Sequence, residues 1–445
     1  MGVVTVLGDD PRQELQPCNS VACAEESASP VHSLTVTRPI AIDLFSGAGG
    51  MSLGLEQAGF DVVAAVEYDP VHAATHEFNF PKCEAICGSV ADVDGATIRA
   101  RADIGRRRVD LVAGGPPCQG FSMIGKRNVA DDRNNLVMEF QRLVVELDAR
   151  VFIMENVPGM AVGAQGGVLD ELVRRFKRDG YNCLPHTLLT ATSFGVPQKR
   201  RRLFLVGAKD GETLPRLPVG TFEACPTVWD AIGDLPDIEN YDQLLDRDWV
   251  KAKFYEPSPY AAALRGDTRD IADYSYKRAW DPTILTSSMR TVHTAKSISR
   301  FAKTEPGRVE PTSRFLRLDP FGYCNTLRAG TDSKRGGYTS PRPIHPTEPR
   351  VITVREGARL HSFPDWFRFH ETKWHGFRQV GNAVAPLVGR AVGASIMASL
   401  GRVPGRSRAT LKLGDPALLG MTMAQAADYF DVHADVVGTR DRRTA

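Results

Sequence analysis

From residue 40 to residue 208, short apolar runs alternate with stretches of helical spacing. No other feature of the chain constrains its fold as tightly. IAIDLF (40–45), VVAAVEYD (62–69), VDLVAGG (109–115), VFIMENV (151–157) and RLFLVGA (202–208) have the length and β-branched content of buried strands. Between them, SLGLEQAGF (52–60), a segment through the seventies, NLVMEFQRLVVEL (135–147) and GVLDELVRRFKRDGY (167–181) repeat apolar residues at helical spacing, with Gly59 and Gly180 as stops. Strands alternating with helices predict an α/β fold with a doubly wound, mostly parallel sheet of Rossmann-like type. In such sheets ligands bind at the carboxyl ends of the strands.

The rest of the chain has a different texture. Residues 1–37 are rich in Ser, Pro, Ala and Glu without period and read as a flexible N-terminal arm. Residues 38–210 read as the first domain, which holds the alternating strands and helices. Residues 211–350, rich in Pro, Arg, Tyr, Thr and Gly, read as a second, smaller and irregular domain. Order returns over 351–400, where GNAVAPLVGRAVGASIMASL (381–400) predicts one long helix packed back on the first domain. A basic linker then leads into a short helical module within 401–445, which reads either as an amphipathic helix or as the start of a helix-turn-helix.

Composition excludes some classes of partner. With 42% apolar and 24% charged residues and a net charge of +2, there is no polyelectrolyte signature, so a nucleic-acid partner would need a local basic face. The eight cysteines form no CxxC pair, and Cys83 and Cys87 have no second ligand pair nearby. Neither metal nor disulfides are therefore expected, and a reduced, cytoplasmic setting fits. No apolar run is read as a membrane span, and no secretory signal is read at the N-terminus.

Three strand ends carry the chemistry. DLFSGAGG (43–50) follows the first strand, and its glycines let backbone approach a ligand at the N-terminus of the next helix. Glu67 ends the second strand, where an acid commonly bonds the ribose of an adenosine cofactor. A solvated strand-end carboxylate is the alternative there. GGPPCQGFS (114–122) puts Cys118 on a stiff turn, where a thiolate can act as a nucleophile. Glu155 ends the neighbouring strand, and adjacent strand ends lie roughly 5 Å apart, so the two side chains can face one pocket. VPQKRRRLFLVG (196–207) sets arginines at the same sheet edge, suited to an anion.

In this order, these blocks resemble the motifs of the DNA cytosine-5 methyltransferases. DLFSGAGG is similar to the family's first S-adenosylmethionine (SAM) motif, GGPPCQGFS to its Pro-Cys-Gln motif, ENV to its Glu-Asn-Val motif and QKRRR to its Gln-x-Arg-x-Arg motif. REGARLHSFPDWF (355–367) and QVGNAVAPLVGRA (379–391) resemble its two late motifs, and the resemblance spans roughly residues 38–400. It implies a SAM-dependent methyltransferase domain joined to a target-recognition domain at 211–350. It also implies catalytic roles for Cys118, Glu155, Arg200 and Arg202, and cofactor contacts at Phe45, Ser46, Gly47, Gly49, Glu67, Ser89, Val90, Pro116 and Asn382. The implied reaction methylates carbon 5 of a flipped-out cytosine through a covalent Cys118 adduct, with Glu155 in its acid form on ring nitrogen 3.

The sequence departs from the family at two places. Ser89 stands where the family usually has the Asp that bonds adenine, with Asp92 three residues on, and either could serve. Ile124 replaces a small polar residue of some relatives, in a segment (121–135) that reads as a mobile loop closing over the DNA. Arg314, Arg317, Arg328, Lys334, Arg335 and Arg342 are candidate phosphate or guanine contacts. The implied setting is a monomer in the bacterial cytoplasm, associated with the nucleoid through duplex DNA. A cognate restriction endonuclease is the implied genetic partner, and the relatives that modify transfer RNA by the same chemistry are the nearest alternative.

Overall fold

The computed structural model describes residues 38–117, 135–162, 166–220, 224–268, 270–330 and 342–433. The N-terminal arm, Cys118 and most of the 121–135 loop lie outside these residues, as do Lys334 and Arg335.

The predicted alternation is present. Strands β1 (Ile40–Leu44), β2 (Asp61–Glu67), β3 (Glu84–Cys87), β4 (Leu111–Gly114) and β5 (Val151–Asn156) pair in parallel in the order β3-β2-β1-β4-β5. Strands β6 (Tyr181–Cys183), β7 (Thr187–Thr190) and β9 (Arg201–Lys209) close the sheet, with β9 antiparallel to β5, β6 and β7. The short β8 (Gln198–Lys199) precedes β9. The chain moves outward from β1 to β3 and then jumps to β4. The switch point, where a crevice opens between diverging connections, therefore lies between β1 and β4.

Helices cover both faces: α1 (Gly50–Ala58), α2 (Pro70–Asn79), α3 (Gly95–Arg101), α4 (Asn135–Glu146) and α5 (Gly166–Arg178). Burial on both faces explains the unbroken apolar strands. Ile40, Ile42 and Leu44 face one core with Phe140, Phe152 and Phe176, while Ala41 faces the other with Leu53 and Leu55. Phe152 and Phe176 stack at 3.8 Å between centroids.

The middle of the chain is built differently. Helices α6 (Val228–Ile232), α7 (Pro259–Arg265) and α8 (Ala295–Lys303) alternate with very short strands. β10 (Val250–Lys251) pairs with β12 (Ile284–Leu285), and β13 (Cys324–Asn325) pairs with β8. β11 (Lys277–Ala279) pairs with β14 (Thr410–Lys412). Buried guanidiniums supply the long-range order. Arg359 binds Asp234 and Asp365, and Arg278 binds both carboxylate oxygens of Glu56. The described residues from 38 to 433 form one compact unit, and Val228, Ile232 and Leu285 share a core with Leu55 and Val392.

One expectation is corrected. Residues 381–400 are not a single helix: α10 (Lys373–Asn382) and α11 (Pro386–Ser399) are separated by extended residues at 383–385. Pro386 opens α11, and a proline pushes the residue before it out of the helical region. The stretch 373–399 is also long and apolar enough for a membrane span by length and composition, contrary to the sequence reading. Here it is a broken core element, and α11 packs closely on α1 where Gly54 meets Gly389. Helix α9 (Val354–Arg359) opens with a Thr353–Glu356 capping box. The C-terminal module contributes α12 (Met423–Tyr429), which lies against α2.

Candidate active site

The carboxyl ends of β1 to β5 line up in register, with Cys87 beside Glu67, Leu44 beside Val66 and Gly114, and Gly114 beside Met154. The residues that follow each end therefore share one edge. After β1 the chain turns sharply. Phe45 takes φ 59°, a left-handed conformation that costs an ordinary residue roughly 1–2 kcal/mol. Gly49 has φ 103°, and a Cβ there would lie 2.3 Å from the Phe80 ring, so only glycine fits. Gly47 N–H donates to Glu67 Oε2 at 2.8 Å, and Asp69 N–H donates to Oε1 at 2.9 Å. Glu67 thus closes the loop onto β2 and keeps lone pairs for a ligand. Among the described residues, a Cβ built at Gly47 would meet no atom within 4 Å, and Ser46 Oγ is buried without a partner. Ser89 and Val90 follow β3. Ser89 is half-buried and its Oγ accepts from Ala91 N–H, whereas Asp92 is exposed.

At the other side of the crevice, Glu155 is buried at the end of β5. Its Oε2 would lie 3.3 Å from a Cβ at Gly115. Arg202 Nε is 2.9 Å from Glu155 Oε1 but off the N–H direction, an ion pair without an aligned hydrogen bond. The next residue, Asn156, donates from its side-chain amide to the Pro116 carbonyl at 3.2 Å. That bond ties β5 to the turn that leads into Cys118. Arg200 behaves unlike Arg202. It is buried, and its guanidinium donates to the carbonyls of Leu327, Gly381 and Ala383. Burial, with the Arg202 charge beside it, pushes its pKa down. Asn382 is exposed at the end of α10.

The structure thus brings Glu155, Arg202 and Pro116 to one side of the crevice and Ser46, Gly47 and Glu67 to the other. The segment from residue 40 to residue 398 matches the family model for C-5 cytosine-specific DNA methylase. The chain belongs to the C-5 cytosine-specific DNA methylase family. It is a DNA (cytosine-5) methyltransferase with the α/β fold of the SAM-dependent methyltransferases. It is 55% identical to the type II methyltransferase M.XorII of Xanthomonas oryzae pv. oryzae over 408 residues, which covers 92% of this chain and 96% of that one. With M.AgeI of Thalassovita gelatinovora the identity is 31%, over 81% of this chain and 99% of the relative. A crystal structure of a prophage-encoded DNA modification methyltransferase from E. coli superimposes with a TM-score of 0.67 at 34% identity, covering 82% of this chain and all of that one.

Sequence reasoning passed over several residues of the methyltransferase. Asp43 is buried on β1, where Ser52 Oγ donates to it at 2.6 Å and also meets His76 Nε2 at 2.9 Å. Burial pushes the Asp43 carboxyl up to about 7 against the Ser52 bond, and burial pushes the His76 imidazole down to about 3. An acid inside an otherwise apolar strand was the available signal. Gln198 of the Gln-x-Arg-x-Arg motif is fully buried and acts as a backbone clamp. Arg317, read as a candidate DNA contact, donates to the carbonyls of Phe301, Ala302, Thr304, Pro346 and Thr347 instead. No sequence pattern distinguishes such an arginine from an exposed one.

Proposed function

We propose that this chain methylates carbon 5 of a flipped-out cytosine in a specific duplex DNA sequence, using SAM, through a covalent adduct with Cys118. We further propose that it is the modification half of a type II restriction-modification system, with a cognate endonuclease as its genetic partner. The observation that carries the reading is the shared strand edge: the Glu155–Arg202 pair and the Asn156-tethered Pro116 turn lie across the β1/β4 crevice from Glu67 and Ser46. The residues there suit the cofactor. Among the described residues Ser46 Oγ is a buried group with no protein partner and Gly47 faces open space, and Glu67 retains acceptor capacity beside them. Ser46, Gly47, Glu67, Ser89, Val90, Pro116 and Asn382 would hold the cofactor, with Phe45 and Gly49 shaping its loop.

Cytosine carbon 5 is a poor nucleophile. When bound, the cofactor supplies an electrophilic methyl group. The Cys118 thiolate adds to carbon 6, and the electron pair displaced from the 5,6 double bond moves toward ring nitrogen 3. Glu155, in its acid form, donates its proton to that nitrogen and is left as the carboxylate, which pairs with Arg202. Carbon 5 is now enamine-like and accepts the methyl group. Solvent takes the carbon-5 proton, the freed electron pair re-forms the 5,6 double bond and expels Cys118 as the thiolate, and nitrogen 3 returns its proton to Glu155, which restores the ring. The target base must first leave the stack, at a cost of a few kcal/mol (roughly). Residues 211–350 supply the sequence readout, since groove contacts can be built on loops while the chemistry needs rigid strand ends. The enzyme is proposed to act as a cytoplasmic monomer.

The test is tritium transfer from labelled SAM to duplex DNA and to transfer RNA. DNA should be labelled, Cys118→Ser should abolish transfer while SAM binding persists, and DNA containing 5-fluorocytosine should trap the wild-type enzyme covalently. Normal turnover by Cys118→Ser, or label appearing only in transfer RNA, would overturn the reading.

A further inference from the structure

The break between α10 and α11 leaves backbone carbonyls that a continuous helix would have used. Two buried side chains take them. Arg200 donates to Gly381 O at 3.0 Å and to Ala383 O at 2.8 Å, and His361 Nε2 donates to the same Ala383 O at 3.0 Å. A carbonyl only accepts, so His361 carries its proton on Nε2. Its Nδ1 is then the acceptor for Gln198 Nε2 at 2.9 Å. Burial, with the Arg200 charge beside it, pushes the His361 pKa well down and keeps the ring neutral.

The same cluster grips the middle of the chain. Gln198 Oε1 accepts from Leu327 N–H at 3.1 Å, and Arg200 Nη1 donates to Leu327 O at 3.1 Å. Both backbone groups of Leu327 are therefore held by the side chains that hold the 381–383 turn. The backbones also touch, since a Cβ at Gly381 would lie 2.4 Å from the carbonyl carbon of Arg328. Arg328 itself is exposed. One buried polar cluster thus joins Asn382, at the cofactor side, to Leu327 and Arg328, in the segment assigned to DNA readout. Leaving a polar group unpaired in such a site is costly, so the turn does not shift without straining the bonds to Leu327.

We propose that Gln198, Arg200 and His361 are positioning residues that couple cofactor binding to DNA binding, by making the 381–383 turn and the Leu327–Arg328 backbone move as one body. The inference rests on the function proposed above. Coupling between sites is reciprocal, and typical factors are about 5–150-fold. His361 is the member to remove. Without it, Gln198 Nε2 keeps the Leu360 carbonyl and Ala383 O keeps Arg200.

The experiment measures binding of S-adenosylhomocysteine by calorimetry with and without a substrate duplex, and binding of that duplex with and without S-adenosylhomocysteine. Wild-type protein should show equal factors of at least about 5 in both directions. In His361→Phe each ligand alone should bind within about threefold of wild type, while the coupling factor drops below the wild-type value, the part carried by the Arg200 bridge to Leu327 remaining. His361→Gln, whose amide offers one donor and one acceptor, should recover part of the factor. If His361→Phe does not fold, His361→Leu, which also lacks a donor and an acceptor, is read in the same way. A wild-type factor of 1, a variant that keeps the full factor, or equal loss of both single-ligand affinities would overturn the coupling. Protein that methylates DNA without coupling refutes this inference alone, whereas protein that neither binds nor methylates refutes the proposed function as well.

Discussion

The sheet region, residues 38–210, and the middle region, residues 211–350, keep their shape by different physics. In the sheet, long-range order comes from apolar strands buried on both faces, as with Ile42, Phe152 and Ile153. In the middle, strands of two or three residues cannot supply it. There guanidiniums fixed to carbonyls and carboxylates add to the core that Val228, Ile232 and Leu285 share: Arg317 on five carbonyls, Arg278 on Glu56, and Arg359, from the segment that follows, on Asp234. Apolar contacts are non-directional and tolerate small changes of shape. Charged hydrogen bonds are directional, and losing one partner strands the other. A region that holds loops in register can be built on the second kind, and a rigid strand edge on the first.

The largest expected effect tests this contrast directly. Arg359→Ala removes the hydrogen-bonded partner of two buried carboxylates, leaving Asp234 and Asp365 only the longer pairs with Arg265 and Arg355, and should cost about 3–5 kcal/mol. Ile153→Val, which trims the sheet core, should cost only about 0.5–1.5 kcal/mol. Urea unfolding gives both values. A milder loss for Arg359→Ala than for Ile153→Val would break the comparison.

The second test uses pH, because the buried acids of the two settings shift in opposite directions. On the sheet, burial raises Asp43 to about 7 against the Ser52 hydrogen bonds. Burial alone would also raise Glu356, but Arg350 and His345 outweigh it and hold the carboxyl down at about 2. Folded Asp43 binds its proton more tightly than the unfolded chain does. Its contribution is full below about pH 4 and is lost as pH rises through 7. Folded Glu356 does the reverse, contributing above about pH 4.5 and losing its share as pH falls toward 2. Asp43→Asn should therefore flatten the decline in stability between pH 4 and 7, and Glu356→Gln should flatten the decline on the acid side. Each effect is of the order of a few kcal/mol. Thermal unfolding across that pH range would show it, and an unchanged slope in Asp43→Asn would refute the assignment.

The smallest effect sharpens the picture inside the sheet region. Glu67→Ala should weaken SAM binding by roughly 1.5–3 kcal/mol, and Ser89→Ala by about 1 kcal/mol. Calorimetric titration ranks them. The reverse order would put the main polar contact at Ser89 and leave Glu67 as the latch between Gly47 and Asp69.

The sequence by itself determined the alternation of strands and helices, the strand ends at which Glu67 and Glu155 sit, and the family. These are local or repetitive signals: apolar runs, glycine stops and short motifs survive without knowledge of distant neighbours. Tertiary structure alone decided which polar residues face inward. Arg200 and Arg202 are two positions apart in one motif, yet Arg202 pairs with Glu155 while Arg200 is held by carbonyls of Leu327, Gly381 and Ala383. Arg317 and Arg328 likewise look alike in the sequence, and one is buried while the other is exposed. The break at 383–385 belongs to both levels. Pro386 marks it in the sequence, but the partners for the freed carbonyls come from residues about 20 and 180 positions away. A side chain's partner in a buried hydrogen bond is set by which distant backbone folds against it, and local spacing carries no record of that.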